Sequence, residues 1–542
     1  MLLSPIKRFW NLLKVYKLEI RQIYVYAIFI GFINLTLPLG IQAIINFLQT
    51  GEYTSTWLLL VGFVLFGILV SGILQILQFR VVENSQQDLL ARSAFEFAYR
   101  IPKITYLQLD KMHMPELVNR FFDTLTIQKG VPKILIDFSL AIFQIFFGLI
   151  LLTIYSPYFI ILGLALLLIP WLITRFSGPR GLATSLKESK YKYHLVHWLE
   201  ESARLNRSLK IFNYTKFHLK KTDGIVSSYI QAREKHFQVL IGQFKLFIGF
   251  KLIVAAGLLI LGGTLVFQER MNIGQFVAAE IIILLILNSV EKLLTTIDVI
   301  YDVLTALEKI GYVTDLKLDE DNGVGTVKAD EGLGIVGKEL VFGFPDEKRK
   351  IIDELDFEIA PNEKVVLSGK AGSGKSVLLQ LIAGIYQIQD GELYVDGIPV
   401  AHYKKDELFK SLSVSFPENQ IFDGTIRENI LLGRDCDERK MSETLELLDL
   451  NGFLIHQEKG IDTRLDSGGC WLPRSVMQKI LVARIIIGEP KLILMEDPLP
   501  FIEEDEKKKI IDYMMSKEQK WTLVVISDYH HWVEKCDRIL EL

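Results

Sequence analysis

Apolar residues are gathered unevenly along the chain. Six runs, near residues 23–48, 57–79, 134–155, 158–176, 246–267 and 274–296, reach the length of about 20 residues that a helix needs to cross a hydrocarbon core. The third and fourth nearly merge, with Ser156-Pro157 marking the turn between them. The sixth is the weakest, because Glu280, Asn288 and Glu291 interrupt it. At 80–133 and 177–245 apolar positions recur at helical spacing with few glycines, which predicts helices running on from the spans. At ~1.5 Å per residue such an out-and-back pair reaches about 35–40 Å into the cytosol, a length suited to touching a cytosolic domain. The alternative is a small separate helical domain. Beyond an acidic, glycine-containing stretch at 315–334, the pattern changes to short β-rich runs alternating with helices. The expected organisation is an N-terminal amphipathic helix (1–22), a transmembrane domain (23–314), a linker (315–334) and an α/β domain (335–542).

Charge orients this arrangement. Lys and Arg crowd the segment before the first span and both long loops, whereas 49–56 and 156–157 carry none and 268–273 carries only Arg270. The positive-inside rule therefore predicts a multi-pass protein of the plasma membrane with both termini cytosolic. Residues 1–22 mix Lys7, Arg8, Lys14, Lys17 and Arg21 with Phe9, Trp10, Leu13 and Tyr16, the composition of a helix lying on the inner membrane face rather than a cleavable leader. A merely solvated start to the first span is the alternative. Sixty basic against 64 acidic residues leave a net charge of −4, so no global field favours nucleic acid as a partner. Cys436, Cys470 and Cys536 lack metal-ligand spacing and read as reduced cytosolic thiols. Asn34, Asp137, Gln144, Lys251 and Glu280 fall within the spans, where polar groups are candidates for substrate contact. The ionisable ones lie close enough to span ends for water access to explain them.

The strongest chemical signal is Gly369-x-x-x-x-Gly374-Lys375-Ser376, the P-loop pattern. A β-rich segment (365–367) precedes it and an apolar-periodic helix (377–385) follows, which is the context the motif requires. Backbone N–H groups of Gly369, Lys370, Ala371, Gly372, Ser373 and Gly374, and of Val377 in the helix that follows, can wrap the phosphates of ATP at a helix N-terminus. Lys375 neutralises the terminal phosphates and Ser376 offers a hydroxyl to Mg²⁺.

Six spans, long cytosolic loops and a C-terminal P-loop domain together resemble a half-transporter of the ATP-binding cassette (ABC) exporter family. Three further stretches are similar to that family: 101–123 (IPKITYLQLDKMHMPELVNRFFD) to its first intracellular loop, QIFDGTIRENILLG (420–433) to the segment after its Q-loop, and TLVVISDYHHWVEKCDRILEL to the end of its cassette. The resemblance implies an α-helical six-span transmembrane domain followed by an α/β P-loop nucleotide-binding domain. It implies a second half-transporter as partner, in a homodimer or a heterodimer embedded in the lipid bilayer. The first loop and spans 1–2 resemble in general look the bacterial toxin- and protein-secretion branch, which implies an inner-membrane location with periplasmic adaptor or outer-membrane components as further partners. Phe344 stands where the family stacks an aromatic ring on adenine, or is a buried strand-end aromatic.

Most of the family's catalytic positions depart from its pattern. The acidic strand reads Glu496-Asp497-Pro498 where the family has Asp-Glu-Pro, so the acids are swapped. Glu496 falls at the Mg²⁺-side position, and Asp497 falls one methylene short at the position that polarises water. Misplacement by ~1 Å can cost on the order of 100-fold in rate. The switch histidine's place is taken by Asp528, with His530 and His531 two and three residues out of register. A carboxylate there opposes the stabilisation of developing negative charge. The Q-loop position falls on Pro417, with Gln420 nearby. The family's Leu-Ser-Gly-Gly-Gln signature aligns with Leu472-Pro473-Arg474-Ser475-Val476, and Ser467-Gly468-Gly469 lies five residues too early to replace it. Arg474 could offer a guanidinium in place of the missing hydroxyl, or be a solvated surface residue. The expected function is an ATP-dependent exporter half-transporter moving a peptide, protein or amphipathic compound with slow hydrolysis. The alternative is a non-hydrolysing subunit that binds ATP structurally or as a sensor.

Overall fold

The computed structural model describes residues 4–542 apart from 51–54, 110–111, 113, 213–214, 320–322, 328–329, 346–348, 418–419 and 470. Cys470, parts of the 315–334 stretch and three positions of the 101–123 segment therefore lie outside the described residues. Two compact units divide the chain, one formed by Met1–Ile104 and Gln108–Leu318, the other by Thr105–Leu107 and Asp319–Leu542.

The first unit is helical throughout. Among the described residues it contains six helical stretches long and apolar enough to cross a membrane: Lys17–Gln49, Ser55–Lys103, Met114–Tyr155, Phe159–Arg204, Phe217–Phe267 and Ile273–Thr314. The chain is a multi-pass membrane protein. The first stretch departs from the single continuous span expected at 23–48. It is two helices, Lys17–Ile33 and Thr36–Thr50, broken at Asn34 and Leu35. Pro38 explains the break, since its ring disfavours a helical carbonyl four residues earlier, at Asn34. The Asn34 side chain accepts a hydrogen bond from Ser71 at 2.9 Å across the unit.

The first stretch rather than the sixth has the lowest mean hydropathy, and the sixth, expected to be the weakest, is the most interior. Half of its most apolar window is buried, against a third or less in the other five. Several polar side chains along it have partners within the unit. Thr296 donates to Asp137 (3.1 Å), Ser289 to Gln144 (3.0 Å), and Lys251 to Glu291 (2.8 Å). Close approach to the Asp123–Tyr155 helix depends on glycine, because a Cβ at Gly130 would stand 2.3 Å from Val303 Cγ2.

The second unit is α/β. Its strands are β1 (Ile335–Phe342), β2 (Ile352–Ile359), β3 (Lys364–Ser368), β4 (Asp390–Val395), β5 (Ile398–Pro399), β6 (Leu412–Ser415), β7 (Gly424–Thr425), β8 (Arg464–Leu465), β9 (Leu492–Glu496), β10 (Thr522–Ile526) and β11 (Arg538–Glu541). An antiparallel sheet runs β2-β1-β4-β5, and a parallel sheet runs β11-β3-β10-β9-β6. Strands β3, β9 and β10 are nearly continuous apolar runs buried on both faces, as a covered parallel sheet requires. The helix Lys375–Ile382 is buried between the sheets through Leu378, Leu379, Leu381 and Ile382. On the other face of the parallel sheet, helices Arg474–Ile486 and Glu504–Met515 contribute Ile480, Ile485, Ile510 and Met514 to a second core.

Candidate functional site

Parallel strands place their carboxyl ends on one edge of a sheet, and in open α/β sheets that edge is where ligands bind. Here β3 runs into the phosphate loop, β9 ends at Glu496, and β10 runs into Ser527-Asp528. Because β10 lies between β3 and β9, three segments distant in sequence converge there. The main chain ties them further, with Asp497 N donating to Ile526 O at 2.8 Å.

The loop's shape depends on its glycines. Gly374, the N-cap of the Lys375–Ile382 helix, has φ +97° and sits 3.1 Å, measured from a built Cβ, from Ile351 Cγ2. Gly369 has φ +149°, and a Cβ there would lie 2.5 Å from Leu542 O. Side chains at either position would be strained or blocked. The first-turn N–H groups of Lys375, Ser376 and Val377 have no acceptor within the helix, and the helix dipole makes this end partly positive. Ser373 Oγ is buried without a hydrogen-bond partner, an orphan that a ligand oxygen would satisfy. Lys375 Nζ folds back to the carbonyls of Gly369 (2.7 Å) and Lys370 (3.0 Å), neutral groups that leave its charge available. A cleft of about 290 Å³ opens beside the loop, lined by Gly372, Ser373, Gly374, Lys375, Ser376 and Val377 together with Arg349 and Ile351. Lys370 and Ala371 form the exposed tip. Arg349 carries no motif and was missed by sequence reasoning; its place in the charged run before β2 gave no signal.

Ser376 and Glu496, 120 positions apart, meet directly, with Ser376 Oγ donating to Glu496 Oε1 at 2.6 Å. The extra methylene of Glu496 therefore does not prevent contact with the loop's hydroxyl. Two oxygen donors at this spacing suit a hard cation such as Mg²⁺, which keeps other positions for phosphate and water oxygens. The loop's N–H groups, Lys375 and this oxygen pair fit a magnesium-bound nucleoside triphosphate.

Asp497 is exposed and occupies the left-handed region at φ +37°, uncommon for a residue with a side chain. The chain turns out of the strand here, so Asp497 stands at the sheet edge beside Glu496 and next to the end of β10. Asp528 is also exposed on the loop after β10. That loop is held from both sides: Tyr529 N donates to Ser527 Oγ at 3.2 Å, and the Tyr529 hydroxyl donates to Glu504. The bond to Glu504 pushes the tyrosine pKa up to about 12. The neighbouring histidines are engaged elsewhere. His531 faces Asp512 (3.0 Å) and Glu534 (3.3 Å), and His530 faces Glu534 (3.4 Å).

Phe344 is half-buried in an aromatic cluster. Its ring meets Phe342 at 5.5 Å and Tyr386 at 5.8 Å, both edge-on, while Phe342 and Tyr386 stack at 5.3 Å. Pro417 is exposed, and Gln420 lends its carbonyl to the Arg484 guanidinium at 3.3 Å. The helix Arg474–Ile486 starts from Pro473 as N-cap, at φ −56° and ψ 137° and without a side-chain cap. The Arg474 guanidinium lies 4.9 Å from the centre of the Phe501 ring. Ser467–Gly469 forms a separate 3-10 turn, with Gly468 N bonded to Ile421 O at 2.9 Å.

Comparison with known proteins agrees with this geometry. The family model described as ABC transporter matches residues 352–500, and the model for the ABC transporter transmembrane region matches 22–290. The chain is 24% identical over 275 residues to an ATP-dependent lipid A-core flippase of Burkholderia orbicola, covering 51% of this chain and 46% of that one. It is 20% identical over 372 residues to a protein of the same name from Xanthomonas campestris pv. campestris, covering 67% and 61% respectively. The chain thus spans about half the length of the curated relatives it matches. In fold it is similar to a bacterial Atm1-family ABC exporter solved with ATP bound, with a TM-score of 0.84, 18% identity and coverage of 98% of this chain and 94% of that one. With both a transmembrane and a nucleotide-binding family model matched in the order found along this chain, the protein belongs to the ABC transporter family.

Proposed function

We propose that this chain is one half of an ATP-driven exporter that works as a dimer in the inner membrane, with ATP binding as its effective step and hydrolysis slow. The observation that carries this reading is the meeting of Ser376 with Glu496 beside a glycine-shaped loop and a charged Lys375. Bound Mg²⁺ would neutralise charge between the terminal phosphates. Lys375 and the first-turn N–H groups hold the phosphates, Ser373 Oγ gains a partner, and Ser376 and Glu496 orient the metal's oxygen shell. The Phe344 cluster offers a face for the adenine.

Slow hydrolysis follows from what surrounds that loop. Asp497 is the group next to the metal-side acid that could polarise water, and it is one methylene short. Asp528 brings negative charge where a γ-phosphate needs a donor. Pro473 removes an N–H from the helix start that a partner's nucleotide would face. In a dimer with a conforming partner, each composite site would still take one weakened half from this chain. Relatives named as lipid A-core flippases support an amphipathic cargo over a peptide.

A second reading, a non-hydrolysing subunit that binds ATP as a sensor, is favoured by the Tyr529–Glu504 bond, which holds the loop after β10 in place with Asp528 on it. ATPase turnover of the purified protein in lipid separates the two, with Lys375→Ala as control. Turnover of about 1 s⁻¹ or more, lost in the variant, would sink both the sensor reading and the expectation of slow hydrolysis. Slow turnover that the variant abolishes supports the first reading, and nucleotide binding without turnover supports the second.

A further inference from the structure

Two adjacent cations precede β2, and they have different fates. Lys350 is taken by Asp353, its Nζ 2.7 Å from the carboxylate. Arg349 is exposed and, among the described residues, has no ion pair or side-chain hydrogen bond. It lines the same cleft of about 290 Å³ as Gly372 to Val377 of the phosphate loop. A guanidinium offers a fork of donors that matches phosphate oxygens, so an unpaired one on this wall is available to a ligand.

The main chain fixes where on the wall it stands. Ile351 N donates to Phe342 O at 2.8 Å. Arg349 O would lie 3.0 Å from a Cβ at Gly343, and Ile351 O 3.2 Å from a Cβ at Gly374. The segment from Arg349 to Ile351 therefore runs from beside Gly343, the neighbour of Phe344, to the glycine that opens the Lys375–Ile382 helix. Those are the two ends of the nucleotide as proposed above, with adenine at Phe344 and the terminal phosphates at Lys375 and Ser376. Between base and terminal phosphates a nucleotide has its ribose and its α-phosphate. The ribose is neutral, so charge selects the α-phosphate as the partner of Arg349.

We infer that Arg349 is a further nucleotide-binding residue that pairs with the α-phosphate and so holds ADP as firmly as ATP. The inference rests on the reading that this loop binds ATP. Hydrolysis cleaves the bond between the γ-phosphorus and its bridging oxygen and leaves the α-phosphate untouched. Lys375 loses a partner when inorganic phosphate departs, whereas Arg349 loses none. Arg349 thereby retains the product and slows the exchange of ADP for ATP, a brake separate from the swapped acids.

The test measures affinities of the full chain in lipid for ATP, ADP and AMP, by competition against a fluorescent ATP analogue, and the release of a fluorescent ADP analogue chased with ADP. Arg349→Gln is expected to weaken all three nucleotides by a common factor of roughly 10, with ADP released faster by the same factor. Arg349→Lys keeps the charge without the fork and should lose less than about threefold. Lys375→Ala gives the opposite pattern, costing ATP more than ADP and leaving AMP unchanged. A melting temperature equal to the wild type without nucleotide assigns the Arg349→Gln loss to binding rather than folding. Unchanged ADP and AMP affinities in Arg349→Gln, or a loss confined to ATP, overturn the inference while leaving ATP binding intact. A wild-type protein that binds no nucleotide overturns the ATP-binding reading and this inference with it.

Discussion

Two helices in the second unit begin at positions that the family resemblance assigns to holding phosphate, and they differ in what precedes them. Lys375–Ile382 follows a loop with left-handed glycines, so its first N–H groups stand clear of side chains. Arg474–Ile486 follows Pro473 and opens with an arginine stacked on Phe501. Both have the partial positive charge of a helix N-terminus. The dipole is therefore not what distinguishes an anion site from an ordinary helix start; access to the backbone is, and glycine supplies it.

Substitutions can break or sharpen this contrast. Lys375→Ala removes the mobile cation of the first helix start and is expected to weaken ATP binding on the order of 100-fold, measured by titration calorimetry on the purified protein, since charged hydrogen bonds contribute about 1.5–3 kcal/mol. Gly374→Ala keeps the cation but forces a Cβ into a φ of +97° against Ile351. Strain of about 1–3 kcal/mol at the loop should lower the melting temperature by a few degrees, and the distorted loop should weaken ATP roughly 10-fold. A larger loss than Lys375→Ala would show that loop shape outweighs charge. Exchanging the acids, Glu496→Asp with Asp497→Glu, restores the family's order at the first site alone. Turnover should rise by less than about 10-fold, because Asp528 and the Pro473 helix start remain, and misplacement at any one of them limits the rate. Pro473→Ser with Arg474→Gly frees the second helix start, and alone it should change ATP-dependent dimerisation, read by light scattering, by no more than roughly threefold. A large gain there would mean that access to this backbone, rather than the swapped acids, is what holds the cassette back.

Legibility in the sequence followed how local each feature is. Membrane-spanning length and the P-loop spacing are local properties of consecutive residues, and both the six apolar stretches and the strand–loop–helix element are found in the structure. The break at Asn34–Leu35 was passed over because apolar composition continues through it, although Pro38 carried the signal. The sixth span reads as weak from Glu280, Asn288 and Glu291, of which Glu291 gains a partner in Lys251. Thr296, Ser289 and Glu291 meet Asp137, Gln144 and Lys251, and those pairs exist once helices pack.

Residue types alone determined that this chain spans a membrane and that it carries a phosphate loop, and they set the expectation that several catalytic positions depart from the family's pattern. These are statements about what each residue can supply. Which of them act together was decided by the order of strands in the parallel sheet. With β10 between β3 and β9, Ser376 reaches Glu496, Asp497 bonds to the end of β10, and His531 is drawn to Asp512. Strand order depends on burial of apolar faces far from the site, and sequence spacing does not record it. The Arg8–Asp315 pair is of the same kind, since residues 307 positions apart meet only after the helices between them have packed.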